Sequence, residues 1–477
     1  MELARRDFLK ELGALAAIGA FGGTGRVFAA PKGWVRPDNA RLVFGLVSDT
    51  HLRGDMTGEK LSSPSHYLRA AFKYFKEQGA DAIVHCGDMA DRGHIRELEF
   101  HAEIWRDVFG GVNRGPVKLF VAGNHDLEGF RYGLGRPHRS DNIFPDPEEL
   151  TKHLLAEDFA THWERIWGEK YERVWHKTVK GYHFFGRHWD VEESELATVL
   201  GEWQGATKGA QPFFLLSHER SMELGDSPLD LRNAIGFFGH WHCSASNWNQ
   251  IHFFPGYSFP NIQVPSMSSY GGMGFGKDAY ISSAPLEGAE AVPKGYQGLV
   301  VRIYDDFLAI ERREFSEGGS LGPDWIMPLD RGTANHPFSK DELKKVIGVP
   351  QFRKGAKLEV ASENSATPRL TPAGASASRT ASGWGIRVRI PLADGNPDSR
   401  VYAYEVEIGG ARPQDTILRA VYAKGANMGI GHEPDGGVTT LTIPMTELPP
   451  TRRPLFTVRP LSSLGTRGES ISSRYAI

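Results

Sequence analysis

Aspartates, an asparagine and histidines gather in five short clusters, each directly behind an apolar run. Ser48-Asp49-Thr50-His51 closes the first run and Gly87-Asp88-Met89-Ala90-Asp91-Arg92-Gly93 the second. Gly123-Asn124-His125-Asp126, Ser217-His218-Glu219 and Gly239-His240-Trp241-His242 close three more. One Asp-x-His arises easily by chance, and a lone histidine is more often a surface or core residue than a ligand. The ordered set is different, because every cluster follows a strand-like segment and would reach the same end of a sheet. Its carboxylate and imidazole donors, with no thiolate among them, suit Zn, Mn or Fe. A carboxylate has two oxygens and a full charge, so one of these aspartates could bridge two ions. A pair of ions lowers the pKa of a shared water and clamps the attacking and leaving oxygens of a phosphoryl group. Arg92 offers a planar fork to phosphate oxygens; the plainer reading of it is an ion pair with Asp91 or a neighbour. Gly87, Gly123 and Gly239 let the chain turn sharply and come close to the site.

The runs that carry these clusters alternate with helices. Arg41 to Ser48, Ala82 to Cys86, Val117 to Ala122, Pro212 to Leu216 and Asn233 to Phe238 read as buried strands. Tyr67 to Gln78, with Leu68, Phe72 and Phe75 on one face, reads as a helix, as do His94 to Phe109 and Glu193 to Trp203. Such alternation predicts an α/β domain with helices on the faces of its sheet. In such sheets, function collects beyond the C-terminal ends of the strands. Leu127 to Leu150 is polar, aperiodic and contains Gly and Pro. It follows the third cluster, which favours a lid or substrate wall over a disordered insert. Strand patterns return and run through residues 298–315.

Together the clusters resemble the ordered signature of the calcineurin-like metallophosphoesterase superfamily: D-x-H, G-D-x-x-D, G-N-H-[DE], H and G-H-x-H. Every motif is present between residues 41 and 315. The resemblance implies a four-layer αββα sandwich over residues 38–330 with a dinuclear centre of divalent Mn, Fe or Zn at one sheet edge. By motif position Asp49, His51, Asp88 and His242 would bind one ion, and Asp88, Asn124, His218 and His240 the other. A hydroxide bridging the ions would attack phosphorus. His125, which follows a ligand without being one, would act as general acid near the leaving group. Asp91 would fix its tautomer and favour its protonated form. Purple acid phosphatases place a tyrosine ligand where this chain has Asp91, so no iron-tyrosinate chromophore is expected. GDMADRG resembles the version in serine/threonine protein phosphatases, but Asp126 stands where those enzymes usually have Glu. The expected reaction is hydrolysis of a phosphate ester. Monoester and diester stay open, because substrate choice lies in loops such as 127–150.

The chain is long enough for two domains, and its 40% hydrophobic and 24% charged residues are ordinary for a globular protein. A formal charge of -3 shows no basic footprint of a nucleic-acid binder. Residues 1–30 carry Arg5-Arg6 followed by Asp7-Phe8-Leu9-Lys10, then a short apolar stretch and small residues at Ala29 and Ala30. This layout predicts a cleavable export signal resembling the twin-arginine type. A translocase is then a partner during export, and the mature protein is periplasmic or secreted; the plainer alternative is an ordinary amphipathic helix. No later segment is long and apolar enough to read as a transmembrane helix. Residues 331–354 read as a linker. Residues 355–477 read as a small fibronectin- or immunoglobulin-like β-sandwich, from short alternating runs separated by turn residues. That domain holds no cluster of catalytic residue types, so it either packs against the catalytic part or binds something. Cys86 and Cys243 are expected to be free thiols. The rival reading of the whole chain is a non-catalytic surface protein that holds glycan or protein with the β-domain.

Overall fold

Apolar residues occupy successive positions along the central strands, so both faces of each strand must be covered, and this decides the layering. β1 (Leu42–Val47), β2 (Ala82–Cys86) and β3 (Val117–Val121) lie side by side and parallel, with Val47 opposite His85 and Cys86 opposite Val121. On one face Val47, Ile83 and Phe120 pack against α1 (Ser63–Glu77), α2 (Ile95–Phe109) and α3 (Phe159–Trp167). On the other face Phe44, Leu46 and Val84 meet a second sheet. That sheet orders β4 (Val174–Val179), β5 (Tyr182–Arg187), β6 (Phe213–Ser217), β7 (Ala234–Phe238) and β8 (Asn261–Gln263), and β5 to β8 are parallel. Phe44 joins the sheets, edge-on to Phe184, Phe214 and Phe237 with ring centroids 5.4, 5.1 and 5.9 Å away. The outward residues Phe185, Phe213 and Leu215 are covered by Leu196 and Leu200 of α4 (Glu193–Thr207). Helices, sheet, sheet and helix therefore make four layers. β9 (Gln297–Ile303), β10 (Phe307–Glu314) and β11 (Trp325–Pro328) extend the first sheet beyond β1, each antiparallel to the strand before it, so both sheets are mixed.

The computed structural model describes residues 28–29, 35–53, 63–127, 158–207, 211–220, 224, 229–247, 250–252, 259–268, 284, 286–287, 296–329, 349–365, 383–394, 401–426, 429 and 437–476. The leader apart from Phe28–Ala29, the segment 128–150 and most of the linker lie outside the described residues. Phe28–Ala29, at the expected cleavage point, pairs with Trp325 and Ile326 on the outer edge of the first sheet. Cleavage after Ala29 would remove that edge strand. No helix among the described residues is long and apolar enough to cross a membrane.

The C-terminal part is all β. β12 (Glu359–Ser365), β13 (Gly383–Ile390) and β16 (Thr439–Pro444) form one antiparallel sheet. β14 (Val401–Gly409), β15 (Ile417–Tyr422), β17 (Leu455–Ser462) and β18 (Ile471–Arg474) form the other, in the order β15-β14-β17-β18. Ile386, Val388, Leu441 and Ile443 of the first share a core with Tyr404, Val406, Phe456 and Val458 of the second. Gln351–Phe352, within the span read as a linker, already pairs with Ala393–Asp394.

Two exchanges tie this body to the catalytic part. The short strand Leu286–Glu287 adds parallel to β15, opposite Ala420 and Val421, and Leu286 packs on the C-terminal core. In return Leu464, just beyond β17, belongs to the core cluster that contains Ala245, Leu321 and Trp325. Each body therefore completes the other's hydrophobic core. Leu464→Ala is expected to cost about 3 kcal/mol, as for a buried leucine, and to lower a single unfolding transition of the full chain. Separate melting of the two bodies, with only the C-terminal one shifted, would refute the shared core.

Candidate metal centre

The in-register ends of β1, β2 and β3 release Asp49, Asp88 and Asn124 at one edge, and β6 and β7 release His218 and His240 beside them. The connecting loops are laced by backbone hydrogen bonds: Asp49 N donates to Gly87 O, His51 N to Asp88 O and Gly239 N to His218 O, at 2.9–3.0 Å. Asp49, His51, Asp88, His240 and His242 all take left-handed backbone, with φ of 51, 42, 56, 69 and 51°. Outside this site, Lys180 is the only other non-glycine residue with positive φ among the described residues. Such conformations cost of order 1–3 kcal/mol each and persist where the surroundings over-determine them. Glycine is required for contact as well as for turning. A Cβ on Gly123 would strike the Asp88 carboxylate, and one on Gly239 would strike Ser48 and Asp49.

The donors fall into two groups that share one oxygen. In the first, His51 Nε2 lies 3.0 Å from His242 Nε2 and 3.6 Å from Asp88 Oδ2, and His242 Nε2 lies 3.3 Å from Asp49 Oδ1. In the second, His218 Nε2 lies 3.0 Å from Asn124 Oδ1, 3.2 Å from Asp88 Oδ2 and 3.2 Å from His240 Nδ1, which is 3.1 Å from Asn124 Oδ1. Bonds of about 2.1 Å to one ion would set donors roughly 3.0 Å apart in an octahedron and 3.4 Å apart in a tetrahedron. The observed spacings fit. Three of the outer ring nitrogens have partners: His51 Nδ1 faces Asp91 Oδ1 at 3.2 Å, and His218 Nδ1 donates to Cys86 O at 2.7 Å. His242 Nδ1 lies 3.5 Å from Ser266 Oγ. These partners fix which nitrogen points inward, as around metal-binding histidines. The seven residues can therefore hold two divalent ions across Asp88.

Electrostatics favour a cation there. Burial would raise the Asp49 carboxyl, but the His242 and His218 imidazoles outweigh it and leave it at about 2. Burial opposes Asp88 in the same way, and His218 and His51 hold it well below the usual carboxylate range. Asp126 goes the other way, pushed up to about 6 by burial and by the Asp88 charge. It is the girder between two motif loops, accepting from Gly123 N and Ala90 N at 2.8 Å and from Met89 N at 3.3 Å. Sequence reasoning gives Asp126 no role.

Glu97 is a second support without a sequence signal, since His94 rather than Ser or Thr precedes it by three. Its Oε2 accepts from Arg92 N at 2.9 Å and His94 N at 3.2 Å, pinning the loop that carries Asp91 and Arg92 to the start of α2. Burial, reinforced by Asp91 and opposed by those N–H groups, pushes its carboxyl up to about 8 from 4.5. The folded state thus keeps a proton that the unfolded chain releases, and stability falls as pH rises between those values. Glu97→Gln keeps the acceptor and cannot ionise. Urea unfolding at pH 5 and pH 8 should show the variant gaining roughly 2–4 kcal/mol on the wild type over that interval; parallel pH dependences would contradict this.

The three residues expected beside the ions are placed unequally. His125 donates its backbone N–H to Asp88 Oδ1 at 2.8 Å, and its Nδ1 lies 2.6 Å from Asp91. The Asp91 atom involved is the backbone carbonyl, a correction to the expected carboxylate contact. The carboxylate instead faces His51 and accepts from Arg53 Nε at 2.7 Å, held on that side by the Arg53 guanidinium and the His51 ring. Burial opposes its ionisation, yet His51 and Arg53 hold it at about 2. Arg92 Nε stands 3.8 Å from Asp91 Oδ2, a loose contact for the plainer ion-pair reading. Cys86 and Cys243 are buried thiols, and burial raises Cys86 well above the ordinary thiol range.

Residues 42–244 match the calcineurin-like phosphoesterase family, a span that contains every donor named above. No curated protein matches the chain. Among solved structures, a dimetal phosphatase from Danio rerio is similar at 11% identity and a TM-score of 0.33, covering 61% of this chain and 100% of that one. A purple acid phosphatase from yellow lupin (Lupinus luteus) seeds is similar at 13% identity and 0.36, covering 60% and 53%. A predicted phosphoesterase from Streptococcus pneumoniae is similar at 12% identity and 0.27, covering 60% and 97%. On the family match and its donor set, the chain carries a calcineurin-like phosphoesterase domain and is a phosphoesterase.

Proposed function

We propose that this protein is an exported, two-metal phosphoric ester hydrolase with Asp49, His51, Asp88 and His242 on one ion and Asp88, Asn124, His218 and His240 on the other. The observation that carries this is the Asp88 oxygen shared by two donor groups at ligand spacing. When bound, the ions supply Lewis-acid activation of the nucleophile and of the phosphoryl oxygens. The chain does the rest. Asp91 and the Cys86 carbonyl hold His51 and His218 with their Nε2 atoms inward. The Asp91 carbonyl keeps a proton on His125 Nδ1, so Nε2 is the atom that delivers a proton to the leaving oxygen. Arg92 orients the phosphoryl group. The two main C-terminal sheets, with three and four strands of that region beside a small two-stranded pair, support a fibronectin- or immunoglobulin-like sandwich.

Hydrolysis of bis-p-nitrophenyl and p-nitrophenyl phosphate by the metal-loaded protein tests the activity, and the ratio separates diesterase from monoesterase. Bound metal with no ester cleaved across a broad panel would favour a non-catalytic binding protein. Export by the twin-arginine route is supported by the Arg5-Arg6 leader. Arg5→Lys with Arg6→Lys should retain the precursor in the cytoplasm; undiminished export in cells lacking that translocase would refute it.

A further inference from the structure

The two donor groups have different walls. Beside His51 the surrounding groups are charged or polar, namely Asp91, Arg53 and His125. Beside His218 and His240 the wall is aromatic. The Trp189 ring centroid lies 5.3 Å from that of His240 at 36°, and 5.7 Å from that of His218 at 73°. The end of β3 holds the backbone that carries this indole twice: Ala122 N donates to His188 Nδ1 at 2.9 Å, and Trp189 N donates to Ala122 O at 3.0 Å. His188 is buried against Trp163 and Tyr171, while Trp189 stays partly exposed. Trp241, between two donors, has the Arg220 guanidinium 4.4 Å from its ring centre. Neither tryptophan is a donor, and the hydrolytic step uses neither.

We propose that Trp189 is the subsite for the organic group of the ester, and that this group is a planar aromatic or heteroaromatic ring. The proposal rests on the hydrolase reading above. A rigid indole held at a fixed tilt rewards a flat partner through face or edge contact beyond simple area burial. A flexible or saturated group gains only the area term.

Phenyl-, cyclohexyl- and methylphosphonate are the probes, because they carry the phosphoryl anion and cannot be hydrolysed. Their binding to the metal-loaded full chain is measured by calorimetry for the wild type, Trp189→Ala, Trp189→Leu and Trp189→Phe, with metal content measured alongside. Expected results are phenylphosphonate weakened about five- to tenfold by Ala and by Leu, largely retained by Phe, and methylphosphonate unchanged throughout. Equal weakening of the phenyl and cyclohexyl probes would overturn the planar requirement. Weakening of methylphosphonate to the same degree, or metal loss in all three variants, would make Trp189 a support for His240 and overturn the subsite. Calorimetry also separates the two readings: no ester cleaved with this pattern intact refutes hydrolysis alone, and ester cleavage without the pattern refutes the subsite alone.

Discussion

Asp88→Asn is expected to empty both halves of the centre at once and to lower ester hydrolysis by roughly a thousandfold or more, the several kcal/mol that metal activation supplies. The reason lies in how both oxygens are used. Oδ2 stands between the two donor groups, near His51 and His218, while Oδ1 accepts from His125 N at 2.8 Å. An amide cannot serve both directions. With its oxygen inward, its NH2 meets the His125 N–H; with its oxygen toward His125, it presents N–H to the ions. The backbone is not the obstacle, because Asn tolerates the left-handed conformation that Asp88 adopts at φ 56°. Circular dichroism should therefore be unchanged while metal analysis falls from two ions per chain. Two ions retained with normal turnover would remove Asp88 from the bridge.

Which residues meet was legible because donor type and strand position sufficed. A parallel sheet delivers whatever follows each strand to one edge, so Asp49, Asp88 and Asn124 had to gather once β1, β2 and β3 paired in register. The layering was legible for the same reason, from apolar runs that need cover on both faces. What sequence could not carry is direction. Nothing in D-x-H states that Asp49 and His51 sit in left-handed backbone, or that His240 turns Nδ1 inward while its neighbours turn Nε2. Long-range supports were equally hidden: Ser266 lies 3.5 Å from His242 and belongs to no motif. The helix α3 is a different case, absent from the sequence reading although its signals are present. Phe159, Trp163, Ile166 and Trp167 repeat at helical spacing between an Asp158 N-cap and a left-handed Gly168. The coupling of the two bodies depends on single leucines, Leu286 and Leu464, whose burial in the other body no local pattern announces.

His125→Ala separates the acid from the ions, and Asp91→Asn separates them in the opposite direction. Once the nucleophile attacks phosphorus, charge builds on the departing oxygen, and a positioned acid contributes on the order of 10²–10⁴ in rate. His125→Ala should keep both ions, because only its backbone N–H touches Asp88 and alanine retains that group. It should slow an alkyl ester by that factor and a nitrophenyl ester far less, since nitrophenolate leaves without a proton. Asp91→Asn preserves the carbonyl that holds His125 Nδ1, so the dependence on leaving group should match the wild type. It removes the charge facing His51 Nδ1, and loss of such a partner typically lowers metal affinity about 10- to 100-fold. Rates for both esters across a metal titration read the two variants side by side. Equal losses on both esters in His125→Ala, with ions intact, would make His125 a substrate-positioning residue. A leaving-group dependence appearing in Asp91→Asn would return the carboxylate to His125 and make the carbonyl contact secondary.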